Sequence, residues 1–254
     1  MPYIRPTYNS EGSCISYFVC CPGSGVAAVI DPSEDVGQYL SAAKGEGCAI
    51  THVIDTHVHS DHVSGARKLV EKLRGEPLLV MTKGTDVSFD YTPVDEGDSI
   101  EVGDASLVGM RTPGHTQESM SFLYHDNKRA TEPWGVFTGD SLFVGDIGRL
   151  DLLGHGTLRQ AYESLVRLMS LPDYVELYPA HYAGSDCASN RNLSFKTSST
   201  IGFEARHNKM LMWQSFEEFE EVMAREHVSP PATWREIKLR NQGRLSSVGA
   251  IRSQ

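Results

Sequence analysis

The chain has 254 residues, 40% of them apolar, with a formal net charge of −10 and five cysteines. Its length suits one large domain or two small ones, and its acidic balance argues against a nucleic-acid partner and leaves any anionic substrate to local Arg or Lys. No apolar run approaches the roughly 18–20 residues that span a bilayer, residues 1–5 open no signal-peptide core, and Cys14, Cys20, Cys21, Cys48 and Cys187 have no framework spacing, so reduced thiols, a cytoplasmic location and no membrane contact are expected.

In chain order, residues 16–19 and Val26–Ile30 read as strands joined by a Pro-Gly-Ser-Gly turn, with Asp31-Pro32 closing the second. Residues 36–44 suit a short helix stopped by Gly45 and Gly47, and residues 52–56 the next strand. Leu69, Val70 and Leu73 recur at helical spacing, which predicts a helix over 66–74 ended by Gly75. Residues 77–81, Ser99–Val102, Ala105–Arg111 and 120–124 follow as extended segments. The clearest amphipathic helix is Leu158–Met169, where Leu158, Ala161, Tyr162, Leu165, Leu168 and Met169 share one face whose expected role is core packing. Residues 189–199 are polar and read as a long loop. Ser215-Phe216-Glu217-Glu218 reads as a capping box opening a helix to about Arg225. Pro230-Pro231 breaks the chain, residues 233–236 cap a last helix through Arg240, and the Gly/Ser-rich residues 242–254 read as a tail.

The chemistry concentrates in Thr56-His57-Val58-His59-Ser60-Asp61-His62, directly after a strand-like run. His57 and His59 sit two apart, so on an extended loop their side chains can converge on one ion, while Asp61 and His62 can face a second position beside it. Imidazole and carboxylate suit zinc or iron rather than calcium or magnesium. Three further ligand types follow apolar runs and a Gly or Pro: His115 in Thr112-Pro113-Gly114-His115, Asp140 after Thr138-Gly139, and His181 after Pro179-Ala180. Strand ends are where a scaffold presents loop residues at its rim, and one convergent metal pocket accounts for all four places.

The order H-x-H-x-D-H, then His115, Asp140 and His181, resembles the metallo-β-lactamase fold from Ser16-Tyr17-Phe18-Val19 to about Asn208. Finer motifs narrow the resemblance. Asp61-His62-Val63-Ser64-Gly65, Gly139-Asp140-Ser141-Leu142-Phe143, Gly148-Arg149-Leu150-Asp151 and Ser199-Thr200-Ile201-Gly202-Phe203-Glu204 with Asn208 look like the persulfide dioxygenase (sulfur dioxygenase) branch rather than glyoxalase II. Ala183-Gly184-Ser185-Asp186-Cys187 is similar to the subgroup fused to rhodanese domains. Two departures stand out: His181-Tyr182 replaces the His-Asp of many relatives, and Leu150 replaces a commoner Thr.

The resemblance implies an α/β, αββα four-layer sandwich. Residues 1–208 would form the catalytic domain and 209–254 a helical C-terminal extension packed on it, without a rhodanese domain. It also implies one iron(II) per chain held by His57, His115 and Asp140, with His59, Asp61, His62 and His181 around it or holding a second metal. The implied reaction is oxidation of a low-molecular-weight thiol persulfide, glutathione persulfide by default, with O2 and water to sulfite and thiol. The runner-up is a glyoxalase II-like thioester hydrolase with a zinc or mixed dinuclear site. A metal-binding or sulfur-carrying rhodanese partner without turnover is the reading from a different class. The protein partners left open are a separate rhodanese and a second copy of the chain. Arg149 would bind a substrate carboxylate or, by preference, brace the ligand loop through Asp151. Tyr182 would donate to bound sulfur or oxygen, or pack. Cys187 would accept sulfur as a thiolate, or be an inert loop thiol. Arg191, Lys196 and Arg206 are candidate anchors for the carrier's carboxylates.

Overall fold

The strand Cys14–Cys21 is buried on both faces along its whole length, and its near-continuous apolar run follows from that: residues on one side meet a second sheet while those on the other meet helices. Ile15, Tyr17 and Val19 face the space between two sheets, whereas Phe18 and Cys20 face the helical layer. The computed structural model describes residues 1–9, 13–152, 156–182, 187–189, 194–225 and 232–245.

The first sheet runs in the order β1 (Tyr3–Asn9), β2 (Cys14–Cys21), β3 (Val26–Ile30), β4 (Ala49–Ile54), β5 (Leu78–Thr82) and β6 (Thr92–Val94). Its first three strands pair antiparallel and the remainder parallel. Two helices, α1 (Gly37–Glu46) and α2 (Ala66–Lys72), cross over between the parallel strands and cover the outer face through Tyr39, Ala43, Ala66 and Leu69. The second sheet is built from β7 (Ser99–Val102), β8 (Ala105–Arg111), β9 (Met120–Asp126), β10 (Gly135–Gly139), β11 (Glu176–Pro179) and β12 (Ser199–Thr200), side by side in that order. The first four of these form an antiparallel meander. Helix α3 (Leu158–Met169) then carries the chain from β10 to its parallel neighbour β11.

Helix α3 has the expected bounds because its start is chemically marked. Thr157 accepts from Gln160 N, and the Gln160 side chain accepts from Thr157 N, so the reciprocal cap satisfies two donors that the first turn would leave open. Its apolar face meets α4 (Ile201–His207) and α5 (Phe216–Arg225) in one cluster with Leu165, Leu168, Trp213 and Phe219. The layers are thus helices, sheet, sheet, helices, as the family resemblance implied.

Several segments differ from expectation. β1 lies where no strand was expected; Pro6 in its middle is tolerated because β1 is an edge strand paired only with β2. The Pro-Gly-Ser-Gly turn is a short 3-10 helix closed by Gly25 at φ 68°. At α5, Ser215 Oγ accepts from Glu218 N, but the Glu218 carboxylate accepts from Gln214 N at 2.7 Å rather than closing the box on Ser215. The last helix, α6 (Trp234–Asn241), starts without a side-chain cap from Thr233. Gln242 is no tail: it is buried, its side chain donates to Asp86 O at 2.9 Å, and its carbonyl accepts from Ser88 N at 2.9 Å. Pro230-Pro231 and residues 246–254 lie outside the described residues. Among the described residues no helix is long and apolar enough to cross a membrane.

Phe219 is fully buried between α3 and Trp213. Phe219→Ala should therefore destabilise the domain by about 3–5 kcal/mol, read as a shifted main transition in denaturant unfolding. A separate early transition, with the main one unmoved, would show that α5 folds apart from the sandwich.

Candidate metal centre

Ligand-type side chains leave the ends of four strands: His57, His59, Asp61 and His62 after β4, His115 after β8, Asp140 after β10 and His181 after β11. The turn at β10 depends on Gly139, whose φ is 52° and whose added Cβ would stand 2.5 Å from Thr56 Oγ1. Only glycine lets β10 turn that close to the β4 loop and aim Asp140 at His57. Asp31 holds the start of the β4 loop, accepting from Thr56 N at 2.7 Å and from Thr56 Oγ1 at 2.9 Å. Val58 N donates to Glu118 Oε1 at 3.1 Å. From α6, Asn241 Nδ2 donates to the carbonyls of His59 at 2.9 Å and His62 at 2.8 Å.

Two ring nitrogens and one carboxylate oxygen converge. Asp140 Oδ2 lies 3.6 Å from His57 Nε2 and 3.4 Å from His115 Nε2. Those separations exceed good hydrogen bonds and suit donors that share a cation. The far side of each ring decides which nitrogen carries a lone pair. His115 Nδ1 lies 3.0 Å from Arg149 O, a pure acceptor, so Nδ1 carries the proton and Nε2 the lone pair. Thr56 Oγ1 donates to Asp31 Oδ2, and its free lone pair accepts from His57 Nδ1 at 3.0 Å. Both lone pairs therefore point toward a carboxylate oxygen, and His57 Nε2 and Asp140 Oδ2 are buried without hydrogen-bond partners among the described residues. Burial holds the His57 and His115 imidazoles below the ordinary histidine range, with His59 pushing His57 further down. Burial opposes ionisation of Asp140, but His181 and His57 outweigh it and hold the carboxyl below its usual range. Two neutral imidazoles and one carboxylate, dry and mutually repelling through their lone pairs, fit a divalent metal.

Beside this triad is a second cluster. His181 is clamped between two carboxylates, Nδ1 at 2.8 Å from Asp140 Oδ1 and Nε2 at 2.8 Å from Asp61 Oδ2. His62 Nδ1 is 3.0 Å from the same Asp61 oxygen. Burial disfavours charge here too, yet Asp140 and Cys14 hold His181 well above the ordinary histidine range, and Asp61 does the same for His62. His59 packs its ring against His57 and His62, at 4.2 and 4.4 Å between centroids, but turns its Nε2 to Asp31 Oδ1 at 3.2 Å and Asp55 Oδ1 at 3.8 Å. Burial pushes the Asp55 carboxyl up to about 6.

Three residues with suggested catalytic roles have the following surroundings. Arg149 is buried and forms a two-pronged pair with Asp151, Nε to Oδ1 and Nη2 to Oδ2, both at 2.8 Å. It braces the loop whose carbonyl orients His115. Tyr182 packs its ring edge on Tyr8 at 5.7 Å between centroids. Cys187 is buried, and burial with Asp61 and Asp140 pushes its thiol well above the ordinary range. Its hydrogen bond to Asp140 makes it a donor to that carboxylate; the thiolate needed to accept sulfur is disfavoured. Residues 183–186 and Arg191 lie outside the described residues. Arg206 pairs with Asp173, and Lys196 lies 5.5 Å over the Phe203 ring.

Sequence reasoning passed over Asp31, Glu118, Asn241 and above all Cys14, whose sulfur lies 3.4 Å from Asp61 Oδ2 and 3.5 Å from both His62 Nδ1 and His181 Nε2. Nothing local marks Cys14, which reaches the cluster because β2 is stitched to the loop after β11. Ile15 N donates to Ala180 O at 2.7 Å, and Tyr17 OH to Pro179 O at 2.7 Å.

Known proteins resemble this chain in sequence and fold. A family model described as the metallo-beta-lactamase superfamily matches residues 10–181. A hydroxyacylglutathione hydrolase of Rhodopseudomonas palustris (strain BisB5) is 32% identical over 165 residues, which are 65% of this chain and 61% of that relative, so the chain spans less than two thirds of its length. Two solved structures are similar over almost the whole chain. One is a metallo-beta-lactamase from Staphylococcus aureus subsp. aureus COL, with TM-score 0.85, 33% identity, and 95% of this chain and 72% of that one covered. The other is ETHE1 from Myxococcus xanthus, with TM-score 0.81, 31% identity, and 96% and 100% covered.

The site generates two expectations. A metal competes with protons for imidazole nitrogen, and His57 and His115 are held below the ordinary histidine pKa of about 6.5. Metal content after equilibrium dialysis should therefore stay constant as pH falls from 8 to about 6.5 and decline only in more acid buffer; a decline beginning above pH 7 would show that these rings are not held neutral. A Cβ at Gly148 would overlap the Asp140 carbonyl oxygen and crowd His115 Cβ at 3.1 Å. Gly148→Ala should cost about 1–3 kcal/mol and release metal under dialysis that leaves the parent protein loaded.

Proposed function

The chain belongs to the metallo-β-lactamase superfamily, and we propose that its pocket is that of an iron(II)-dependent persulfide dioxygenase. The observation that carries this reading is the convergence of two imidazole nitrogens, His57 Nε2 and His115 Nε2, on one carboxylate oxygen, Asp140 Oδ2, at 3.6 and 3.4 Å. Two histidines on one carboxylate form the ligand face used by non-haem iron oxygenases, which leaves the opposite face open. The motifs Asp61-His62-Val63-Ser64-Gly65 and Gly148-Arg149-Leu150-Asp151 and the full-length likeness to ETHE1 support this branch.

Iron(II) in this triad supplies open coordination positions and redox chemistry toward O2. The chain's residues supply the rest. The Arg149 carbonyl fixes the His115 ring, and Arg149 itself is locked by Asp151. His181 holds one Asp140 oxygen so that the other stays aimed between the two rings. The Phe143 ring packs edge-on against His181 at 5.7 Å between centroids and helps hold that imidazole in place. Overall, a persulfide RSSH, O2 and water give RSH and sulfurous acid, which ionises to sulfite. The outer sulfur is oxidised, O2 is reduced, and the carrier leaves as its thiol. Glutathione is the default carrier.

A second reading, a dinuclear thioester hydrolase, draws support from the name of the Rhodopseudomonas relative and from the Asp61, His62 and His181 cluster. The two are separated by their reactions. Iron-loaded protein should consume O2 with glutathione persulfide and release sulfite, with about one iron per chain. His115→Ala should lose the iron and lower the rate by more than about 100-fold. Rapid anaerobic hydrolysis of lactoylglutathione, without O2 uptake on the persulfide, would give the assignment to the hydrolase; neither activity in iron-loaded protein would leave the non-turnover partner.

A further inference from the structure

We propose that Cys20 and Cys48 are a reversible disulfide pair, a redox staple at the end of the first sheet remote from the metal pocket. Both are free thiols, and their sulfurs stand 2.9 Å apart on the helix-covered face of that sheet. A disulfide bond is about 2.05 Å long, so less than an ångström of approach remains. The fold brings the two together from 28 positions apart. Cys20 pairs with Ala27 across β2 and β3, and Ala27 pairs with Ile50 on β4, two residues beyond Cys48. The thiols therefore flank β3 on one face, and the alanine between them has no side chain long enough to part them. Cys48 lies in the connection between α1 and β4, directly after Gly47 at φ 65°. That connection is free to yield the missing distance while Cys20, inside β2, holds still.

The surroundings give the two sulfurs different parts. Cys20 is fully buried, and burial with the bond to Cys48 pushes its thiol up to about 12. Cys48 is 9% exposed and sits between exposed Gly47 and Ala49, so an oxidant from solvent meets Cys48 first. Hydrogen peroxide is small enough for that opening. The Cys48 sulfur attacks one peroxide oxygen, the O–O bond breaks, and a sulfenic acid and one water form. Cys20 then attacks the Cys48 sulfur, the S–O bond breaks, and the S–S bond forms as a second water leaves. Two thiols and one H2O2 thus give one disulfide and two waters; the sulfurs lose two electrons and the peroxide gains them. A dithiol reductant reverses the step by exchange. Cys21 points to the other side of β2, toward Ser24 Oγ and Asp104 N, and does not compete. The disulfide ties β2 to the start of β4 and stabilises the domain chiefly by restricting the unfolded chain. The ligand-type residues follow the opposite end of β4, so the staple acts on stability whatever reaction the metal pocket performs.

The test uses metal-free, full-length protein, reduced, freed of reductant and then incubated with hydrogen peroxide. After alkylation in denaturant and proteolysis, mass spectrometry should find the peptides bearing Cys20 and Cys48 joined, lighter by two hydrogens than their sum, and parted by dithiothreitol. Fragmentation of the joined peptides should place the link at Cys20 and Cys48. Tm should rise by roughly 6–15 °C on oxidation and fall back on reduction. Cys48→Ser, at the more exposed position, should lose both the link and the rise, and Cys21→Ser should keep both. The proposal fails if Cys20 and Cys48 stay open to alkylation, or if peroxide carries them to sulfinic or sulfonic acids without a link. It fails equally if the link runs through Cys21, or if the linked protein has the Tm of the reduced one.

Discussion

Two imidazole lone pairs facing one buried carboxylate oxygen are the constraint on which this molecule is organised. Each group by itself is ordinary, but together, buried and at 3.4 and 3.6 Å, they repel in surroundings that screen poorly. The arrangement survives only because the far side of every ring is committed elsewhere. His115 spends its proton on the Arg149 carbonyl and His57 on Thr56, which is itself held by Asp31. A rotation that relieved one lone pair would break a buried hydrogen bond, at a cost of about 1–3 kcal/mol. A cation removes the repulsion without moving anything, which is what preorganisation for metal means in structural terms.

That rigidity is borrowed from the fold. The two sheets are bound to each other at the site rather than merely stacked: β2 is joined to the loop after β11 through Ile15, Tyr17 and the Cys14–His181 bridge. Met120 N reaches across to Thr56 O at 3.0 Å from the other sheet. Even the C-terminal helix takes part, since the amide of Asn241 gathers two carbonyls of the β4 loop and its oxygen accepts from Ser64 N at 3.0 Å. Changes far along the chain, on α6, therefore act on the metal loop through hydrogen bonds from the Asn241 side chain to its backbone.

What was legible in the sequence follows from how local each signal is. Helix α3 could be read to the residue because its cap and its apolar face lie within its own span, and β7 and β8 because their patterns do too. The metal pocket itself was legible because its ligand types crowd one heptapeptide and then recur at strand ends. β1 was missed because its sequence, Tyr-Ile-Arg-Pro-Thr-Tyr-Asn, carries a proline and alternates weakly, as an edge strand is free to do. Gln242 reads as the start of a tail, and Asn241 goes unmarked, because their partners, Asp86 and His59, lie well over a hundred residues away in the chain. Cys14 failed for the same reason: a cysteine opening an apolar strand is indistinguishable from a core thiol until the fold places His181 beside it.

Asp140 divides its two oxygens between two tasks, and that division bears on which chemistry the pocket favours. Oδ2 faces His57 and His115, while Oδ1 accepts from His181 at 2.8 Å. For Asp140 to bridge a pair of metals, Oδ1 must give up that bond. Hydrogen bonds to charged groups contribute about 1.5–3 kcal/mol, so bridging begins at a disadvantage of roughly ten- to hundredfold in affinity. Cys187 adds a second restraint, because its thiol also hydrogen-bonds Asp140. An ion held by His57, His115 and one oxygen of Asp140 meets no such cost. A bridge through Asp140 is thus opposed by hydrogen bonds on its second oxygen, made by a histidine that lies beside the triad and not within it.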